Sequence, residues 1–357
     1  MRPLIRNVAV VAAIVLVGLS AFAGGWFLES SQRTGPSSVP ALWIVGAGSL
    51  APILPTFAAA FVSATPNVTD PVSAQLYEGS GTAASSLAGG HQPYDVFVAA
   101  DFRTIPTVLE PPASTVAAWE VAFASDPMVL AYNATDPTLS GLNGGNWWTK
   151  IVQSGVLLGT PNASADPLGY NAIFTLELQD ALAGLGGSLY SHFFTGTEGA
   201  LAGPTSATKY VSENVASTAL SSGEVDAFLI YRSYAVADHL SYVNLTGSVD
   251  LGGTTSANVS QYQTASTTIL SGSSQKVVEG APVLFALTVP ATARDTALGT
   301  QFAAYLLSNA SAPRWGSYGF DPLPVEWSDH PSALPWELTG SPPSGVAPFP
   351  SYLSALL

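Results

Sequence analysis

Three short apolar strands, each running through a small-residue loop into a helix, crowd the first part of the chain beyond its N-terminal segment. Leu42–Val45 is followed by Gly46-Ala47-Gly48-Ser49-Leu50, then by Ile53, Leu54, Phe57 and Phe61 at helical spacing. Val72–Tyr77 leads through Glu78-Gly79-Ser80-Gly81-Thr82 into a small-residue helix at Ala83–Leu87, and Tyr94–Asp101 is a third strand ending in a turn. Three strand–loop–helix units in succession imply an α/β fold with an open parallel sheet. In such sheets ligands bind outside the carboxyl ends of the strands. Ser49 stands at one of these ends, where a hydroxyl and free backbone N–H groups face the same way.

A second junction of this kind lies at residues 155–171. Val156–Leu158 suits a buried strand and Thr160–Ala165 a small-residue loop, and Asp166-Pro167 opens the apolar pattern Ala172, Ile173, Leu176, Leu178, Leu182. Asp at the N-cap and Pro in the first turn are favourable helix starts, because the cap oxygen takes an orphan N–H and the first position has none to lose. A bare helix N-terminus behind a small loop can cradle an anion. Taken alone, the stretch is equally an ordinary capped helix.

Val121–Ala131 is a longer β run interrupted at Ser125-Asp126-Pro127, long enough to pass from one lobe to another; Ala281–Val289 reads as the return strand. Asn214–Leu220 suggests a short helix, Asp226–Tyr231 a buried strand, and Thr296–Leu307 an amphipathic helix. Two α/β halves joined by two crossing strands enclose a cleft, towards which Ser49, Thr82 and Asp166 converge. The expected division is lobe I at 42–127 and 283–330, lobe II at 128–282, and a Pro/Ser-rich tail at 331–357 that is irregular, as is the chain from Asp321-Pro322 onward.

Charge narrows the function. Ten Lys+Arg against 24 Asp+Glu leave a net charge of −14 over 357 residues, which supplies no basic stripe for nucleic acid. An anion site here must rely on local dipoles rather than the long-range field. Cysteine is absent, which removes disulfides, thiolate metal sites, cysteine nucleophiles and a lipid anchor on an N-terminal Cys. His91, His192, His239 and His330 lack local metal-ligand spacing and read as solvent-facing or structural. Neither a nucleophile elbow around Ser49 nor a P-loop lysine beside Gly79-Ser80-Gly81 is present. Arg2 and Arg6 precede the uncharged Asn7–Leu28, long enough to span a bilayer, and Glu29 ends it. Residues 1–31 are therefore expected to be a signal or retained anchor with the body outside, and 32–41 a linker. Six Asn-X-Ser/Thr sequons agree with an exported body: Asn67, Asn133, Asn162, Asn244, Asn258 and Asn309.

Together, Gly46–Leu50, Glu78–Thr82, Asp95–Asp101, Val121–Tyr132, Gly155–Tyr170 and Gly223–Ala235 resemble the archaeal tungstate/molybdate-binding proteins, solute receptors of an ABC importer. The likeness runs in order from about Leu42 to Pro324. It implies a two-lobed type II periplasmic-binding-protein fold with a tetrahedral oxyanion, molybdate or tungstate, held between the lobes. It implies no catalysis and no cofactor, a monomer, and an ABC permease with its ATPase subunit as partners. By position, Ser49 resembles the first-lobe serine, Thr82 the second hydroxyl with Ser80 competing for the role, and Asp166 the acidic residue near the metal centre. The amides around Leu168 would donate beside it, and Tyr231 would close the second-lobe side. The resemblance also expects a Glu just before that Tyr, where this chain has Ile230. From this departure follows the expectation of a four-coordinate anion held by hydrogen bonds, with Asp166 turned aside as a helix cap or bonded while protonated. Sulfate or phosphate is the rival ligand, and a surface-anchored hydrolase or adhesion module the rival class.

Overall fold

The structure, a computed structural model, describes residues 40–69, 74–90, 93–111, 114–339 and 345–357. The expected anchor at 1–31 and nearly all of the linker at 32–41 lie outside the described residues. No described helix is long and apolar enough to cross a membrane.

In chain order the strands are β1 (Ile44–Ala47), β2 (Gln75–Glu78), β3 (Val96–Ala99), β4 (Val121–Ser125), β5 (Met128–Tyr132), β6 (Leu158–Thr160), the short pair β7 (Phe194–Thr195) and β8 (Gly203–Pro204), β9 (Thr208–Tyr210), β10 (Ala227–Tyr231), β11 (Tyr242–Asn244), β12 (Ser266–Ser271), β13 (Ser274–Glu279), β14 (Leu284–Thr288), β15 (Asp321–Ser328) and β16 (Ala347–Pro348). Seven form one sheet in the order β16-β15-β4-β14-β3-β1-β2, and five form a second in the order β11-β5-β10-β6-β9.

The front of the chain builds the parallel half of the first sheet. β1 lies between β2 and β3 with both pairings parallel, so Gly48-Ser49, Gly79-Ser80 and Ala100-Asp101 leave the same sheet edge. β1 and β3 are buried at every position, as strands covered on both faces must be. In the second sheet β6 pairs in parallel with both β9 and β10. Its cleft-side edge therefore carries the loop to Asp166, the turn at Glu213 and the end of β10 at Tyr231.

β4 and β5 are the two halves of the interrupted run, separated by Asp126-Pro127, and they belong to different sheets. The Asp126 N–H donates to the Val283 carbonyl at 3.1 Å and the Val283 N–H to the Leu251 carbonyl at 2.8 Å, so the outgoing and returning crossings run side by side. Around them, Phe57 stacks on Trp315 with ring centroids 4.1 Å apart, and Phe285 meets both Tyr231 and Phe320 edge-on.

The helix Pro167–Ala183 is buried continuously from Pro167 to Asp180, a core helix rather than a surface one. Gly184 ends it at φ 66°, the left-handed cap that a residue without Cβ adopts at least cost. Asp180 then receives the N–H groups of Gly187, Leu189 and Tyr190 at 2.8, 2.7 and 2.9 Å, starting the next short helix.

Two features depart from the reading of the sequence. β12 and β13, six residues each, form an antiparallel hairpin that the Ser/Thr-rich sequence of its strands does not announce. The irregular course expected after Asp321 is also corrected. β15 pairs with β4 across a register shift that accommodates the prolines, and β16 adds a further strand. Phe349 and Leu353 bury in the cluster holding Phe102 and Val45, so apolar anchors order a Pro/Ser-rich segment.

Candidate functional site

β1 ends in a single 3-10 turn, Gly48–Leu50, whose first N–H groups point out of the sheet edge. Ser49 is fully buried, and its Oγ has no hydrogen-bond partner. The Glu213 carboxylate, which comes from the second sheet, lies against Gly48, and the Gly48 and Ser49 amides favour its charged form. Glu213 follows β9 in the 3-10 turn Glu213–Val215 and is 1% exposed. Its Oε2 is buried without a partner. Beside it, Asn214 Nδ2 donates to the Tyr77 carbonyl at 2.9 Å, a further bond between the two sheets.

Asp166 is buried and accepts the Leu168 N–H on Oδ1 at 3.0 Å, so it caps the helix as its sequence position suggests. Burial pushes its carboxyl up to about 6, only partly offset by that amide. Glu213 is pushed well above the usual carboxylate range, by burial first and then by the charge of Asp166, against the pull of the Ser49 and Gly48 amides. A second carboxyl group, that of Glu213, thus stands near Asp166, which the sequence reading leaves as a lone acid. Ile230 is buried inside β10 and carries no charge, but Glu213 arrives from a different strand end and stands within the field of Asp166. Sequence adjacency to Tyr231 misled here. The usable signal was a lone Glu just past the carboxyl end of a parallel strand, at the same edge as Asp166 and Tyr231.

Tyr231 is fully buried at the end of β10, and its hydroxyl accepts from Asn171 Nδ2 at 3.0 Å. Burial, then Asp166 and Glu213, raise its pKa well above 10, so it stays protonated with its O–H available to donate. Asn171, five residues past Asp166 on the same helix, is a positioning residue that the sequence reading does not single out.

The two second-hydroxyl candidates separate. Ser80 is buried and its Oγ accepts the Ala100 N–H at 3.0 Å, bracing the end of β3. Thr82 is exposed, and its hydroxyl donates to the Ala165 carbonyl at 3.4 Å across the cleft. Leu168 contributes its amide to Asp166, and its side chain is buried. Structure thus gathers Ser49, Asp166 and Tyr231 around Glu213, with Ser80 behind the first-sheet edge and Thr82 at the rim.

Outside this group lies a cavity of about 640 Å³, lined by Thr82, Asp166 and Tyr170 together with Arg103, Lys276 and Leu357. Asp166 borders it, whereas Ser49, Glu213 and Tyr231 are not among its walls. Across its floor the Tyr170 hydroxyl donates to Asp101 Oδ2 at 2.5 Å, and Arg103 forks onto both Asp101 oxygens at 2.8–3.2 Å. Burial opposes the Asp101 charge, but the guanidinium and these bonds leave its carboxyl below the usual range. The Arg103 cation is thereby neutralised, and its Nη1 donates to the Glu279 carbonyl at 2.7 Å on the β12–β13 hairpin.

Comparison with known proteins gives four matches. The family described as bacterial extracellular solute-binding protein matches residues 42–321. The molybdate/tungstate-binding protein WtpA of Pyrococcus abyssi is 25% identical over 229 residues, 60% of this chain and 64% of its own. Among solved structures, the periplasmic molybdate-binding protein of Azotobacter vinelandii superposes with a TM-score of 0.55 at 15% identity, covering 79% of this chain and 99% of its own. The sulfate-binding protein SubI of Mycobacterium tuberculosis does so with 0.54 at 14% identity, covering 80% and 88%.

Proposed function

Since this chain belongs to the bacterial extracellular solute-binding protein family, a family of receptors rather than enzymes, we propose that its solute is a tetrahedral metal oxyanion, molybdate or tungstate. Proteins of this type serve an ABC importer, with a permease and its ATPase as partners. The observation that carries the ligand reading is the Glu213 carboxylate packed against Gly48, where the Gly48 and Ser49 amides favour its charge, beside the orphan Ser49 hydroxyl. Negative oxygen is already stabilised at that point by main-chain dipoles, and a buried donor there has no protein partner.

Two neighbouring carboxyl groups favour a metal oxyanion over sulfate or phosphate. Molybdenum and tungsten can accept further oxygen ligands, so Asp166 and Glu213 can approach the metal centre itself. Sulfur and phosphorus in their tetrahedral anions accept none, and each carboxylate then only repels the guest. The pocket would hold oxyanion oxygens with Ser49, the first-lobe amides and Tyr231. Glu213 would swing from the Gly48 and Ser49 amides towards the metal. The carboxylate pair replaces the four-coordinate arrangement expected when Ile230 left Asp166 alone. Sulfate is the second reading, because the sulfate-binding structure shares the fold to a similar extent.

A thermal-shift and calorimetric titration with molybdate, tungstate, sulfate and phosphate tests the proposal. Selective stabilisation by the first two supports it. Binding of sulfate alone would overturn the metal preference, and no response to any of the four would remove the oxyanion reading.

A further inference from the structure

Six of the eleven asparagines are followed two positions on by Ser or Thr, with no Pro between. Ser and Thr make up about one residue in five, so chance places one there for about two of the eleven. Composition does not account for the excess. The chain belongs to an extracellular family, and export is where such a sequon meets a sugar donor. The fold divides the six into two groups of three.

Asn67-Val-Thr69, Asn133-Ala-Thr135 and Asn244-Leu-Thr246 present both halves of an acceptor. Asn67 and Asn244 are exposed, Asn133 is half-exposed, and all three threonines are exposed. Asn67 stands at φ 63° in the turn after the helix Leu54–Ala64. Asn133 follows β5, and its Oδ1 accepts the Thr135 N–H at 3.0 Å and the Thr135 hydroxyl at 2.7 Å. That bonding stays within the sequon and leaves the amide nitrogen unused. Asn244 ends β11.

The three serine sequons each lack one half. Ser164 of Asn162-Ala-Ser164 accepts the Leu270 N–H at 2.9 Å, which ties its hydroxyl to β12. Asn258 of Asn258-Val-Ser260 lies in the helix Ser256–Tyr262, accepts the Thr255 hydroxyl at 2.6 Å and packs so closely on Gly253 that a Cβ there would strike its amide. Ser311 of Asn309-Ala-Ser311 is 2% exposed and donates to the Tyr305 carbonyl at 2.6 Å. Threonine's branched β-carbon also holds its hydroxyl in fewer rotamers, so presenting it loses less entropy than presenting serine's.

We propose that Asn67, Asn133 and Asn244 carry N-linked glycans on the folded, exported chain, and that Asn162, Asn258 and Asn309 do not. The donor is a lipid-phosphate-linked oligosaccharide. Asn Nδ2 bonds to C1 of its first sugar, the C1–O bond to the phosphate breaks, the phosphate leaves with the electron pair, and Nδ2 gives up one proton. None of the three asparagines is among the walls of the cavity beside Asp166. Asn133 and Asn244 bracket the β5–β11 ladder, where Asn244 pairs with Val129 and the Tyr132 N–H donates to the Ser241 carbonyl at 2.9 Å. β11 is the edge of the second sheet, and sugar at both ends screens its open backbone from another chain. Only 10% of residues are charged, so sugar hydroxyls also add hydration that the surface otherwise lacks.

The test is mass spectrometry of peptic peptides from the full chain, isolated from the cells that make it. Peptides holding Asn67, Asn133 and Asn244 should carry glycan, and those holding Asn162, Asn258 and Asn309 should be bare. Asn67→Gln, Asn133→Gln and Asn244→Gln should each remove one glycan's mass from the intact chain. Thr69→Ala, Thr135→Ala and Thr246→Ala should do the same with the asparagine still in place. All six variants should keep the wild-type oxyanion titration. Bare asparagine at the three threonine sequons would overturn the proposal, as would sugar concentrated on the serine sequons or sugar that survives the Thr→Ala changes. The mass readout does not depend on which anion binds, so this assignment and the ligand reading fail separately.

Discussion

Glu213→Gln isolates the charge on which the ligand reading depends. The carboxamide keeps the shape and one acceptor oxygen for the Gly48 and Ser49 amides, and it loses only the negative charge. In the ligand-free protein the folded pKa of Glu213 lies well above its ordinary 4.5, burial being the first cause and Asp166 the second. The folded state therefore holds more protons than the unfolded state, and stability falls as pH rises. Its contribution is complete below pH 4.5 and is lost as pH climbs towards the raised folded value. The Gln variant has no such dependence, so its Tm should match the wild type near pH 4.5 and exceed it increasingly towards pH 8. Binding should move in opposite directions for the two anion classes. Hydrogen bonds to a charged acceptor contribute about 1.5–3 kcal/mol and neutral ones about 0.5–1.5 kcal/mol. Exchanging the charged contact for a neutral one, a difference of about 1–1.5 kcal/mol, should thus weaken molybdate and tungstate by about 5- to 10-fold. Sulfate should instead bind at least about tenfold tighter, because unit charges about 4 Å apart at an effective dielectric near 20 repel by about 4 kcal/mol before screening. Calorimetry with the four anions at pH 7, with thermal scans from pH 4.5 to 8, reads both effects. An equal loss for all anions, or unchanged molybdate affinity, would refute the role given to the Glu213 charge.

Further perturbations bear on the same structure. A Cβ on Gly48 would run into the Glu213 and Asn214 side chains, so Gly48→Ala should weaken oxyanion binding at least about tenfold while shifting Tm little, by calorimetry and thermal scan. Asp126 is buried at the crossing, its carboxyl raised to about 7 from an ordinary 3.8 chiefly by burial. Its stability contribution is present at low pH and lost through neutrality, so Asp126→Asn should stabilise by up to about 4 kcal/mol at pH 8 and under about 2 kcal/mol at pH 5, measured by urea unfolding. Tyr170→Phe removes the bond to Asp101 between the two sheets and should cost about 1–3 kcal/mol, with faster release of a bound oxyanion in stopped flow. Phe57→Ala, stripping the stack on Trp315, should cost about 3–5 kcal/mol in the same unfolding assay and leave the anion order unchanged.

The local devices were legible from the chain alone. Small-residue loops between apolar strands and helices marked Gly48-Ser49, Gly79-Ser80 and Asp166, and capping chemistry marked the helix start, because turns and caps depend on a few neighbouring residues. The interrupted run at Asp126-Pro127 announced a crossing for the same reason. Which of those loops meet was decided only by strand order. Parallel pairing of β6 with β9 and β10 set Glu213 beside Asp166 and Tyr231, residues that lie far apart in sequence, and no local pattern encodes that juxtaposition. Thr82 and Ser80 differ by two positions, yet one faces solvent and the other the strand edge, since a helix start turns successive side chains to different sides. The ordered tail likewise escaped local reading: its prolines and serines speak for a loop, and only the apolar floor under Phe349 and Leu353 holds it down. Short-range stereochemistry wrote the parts into the sequence, and long-range burial and register chose which parts share a site.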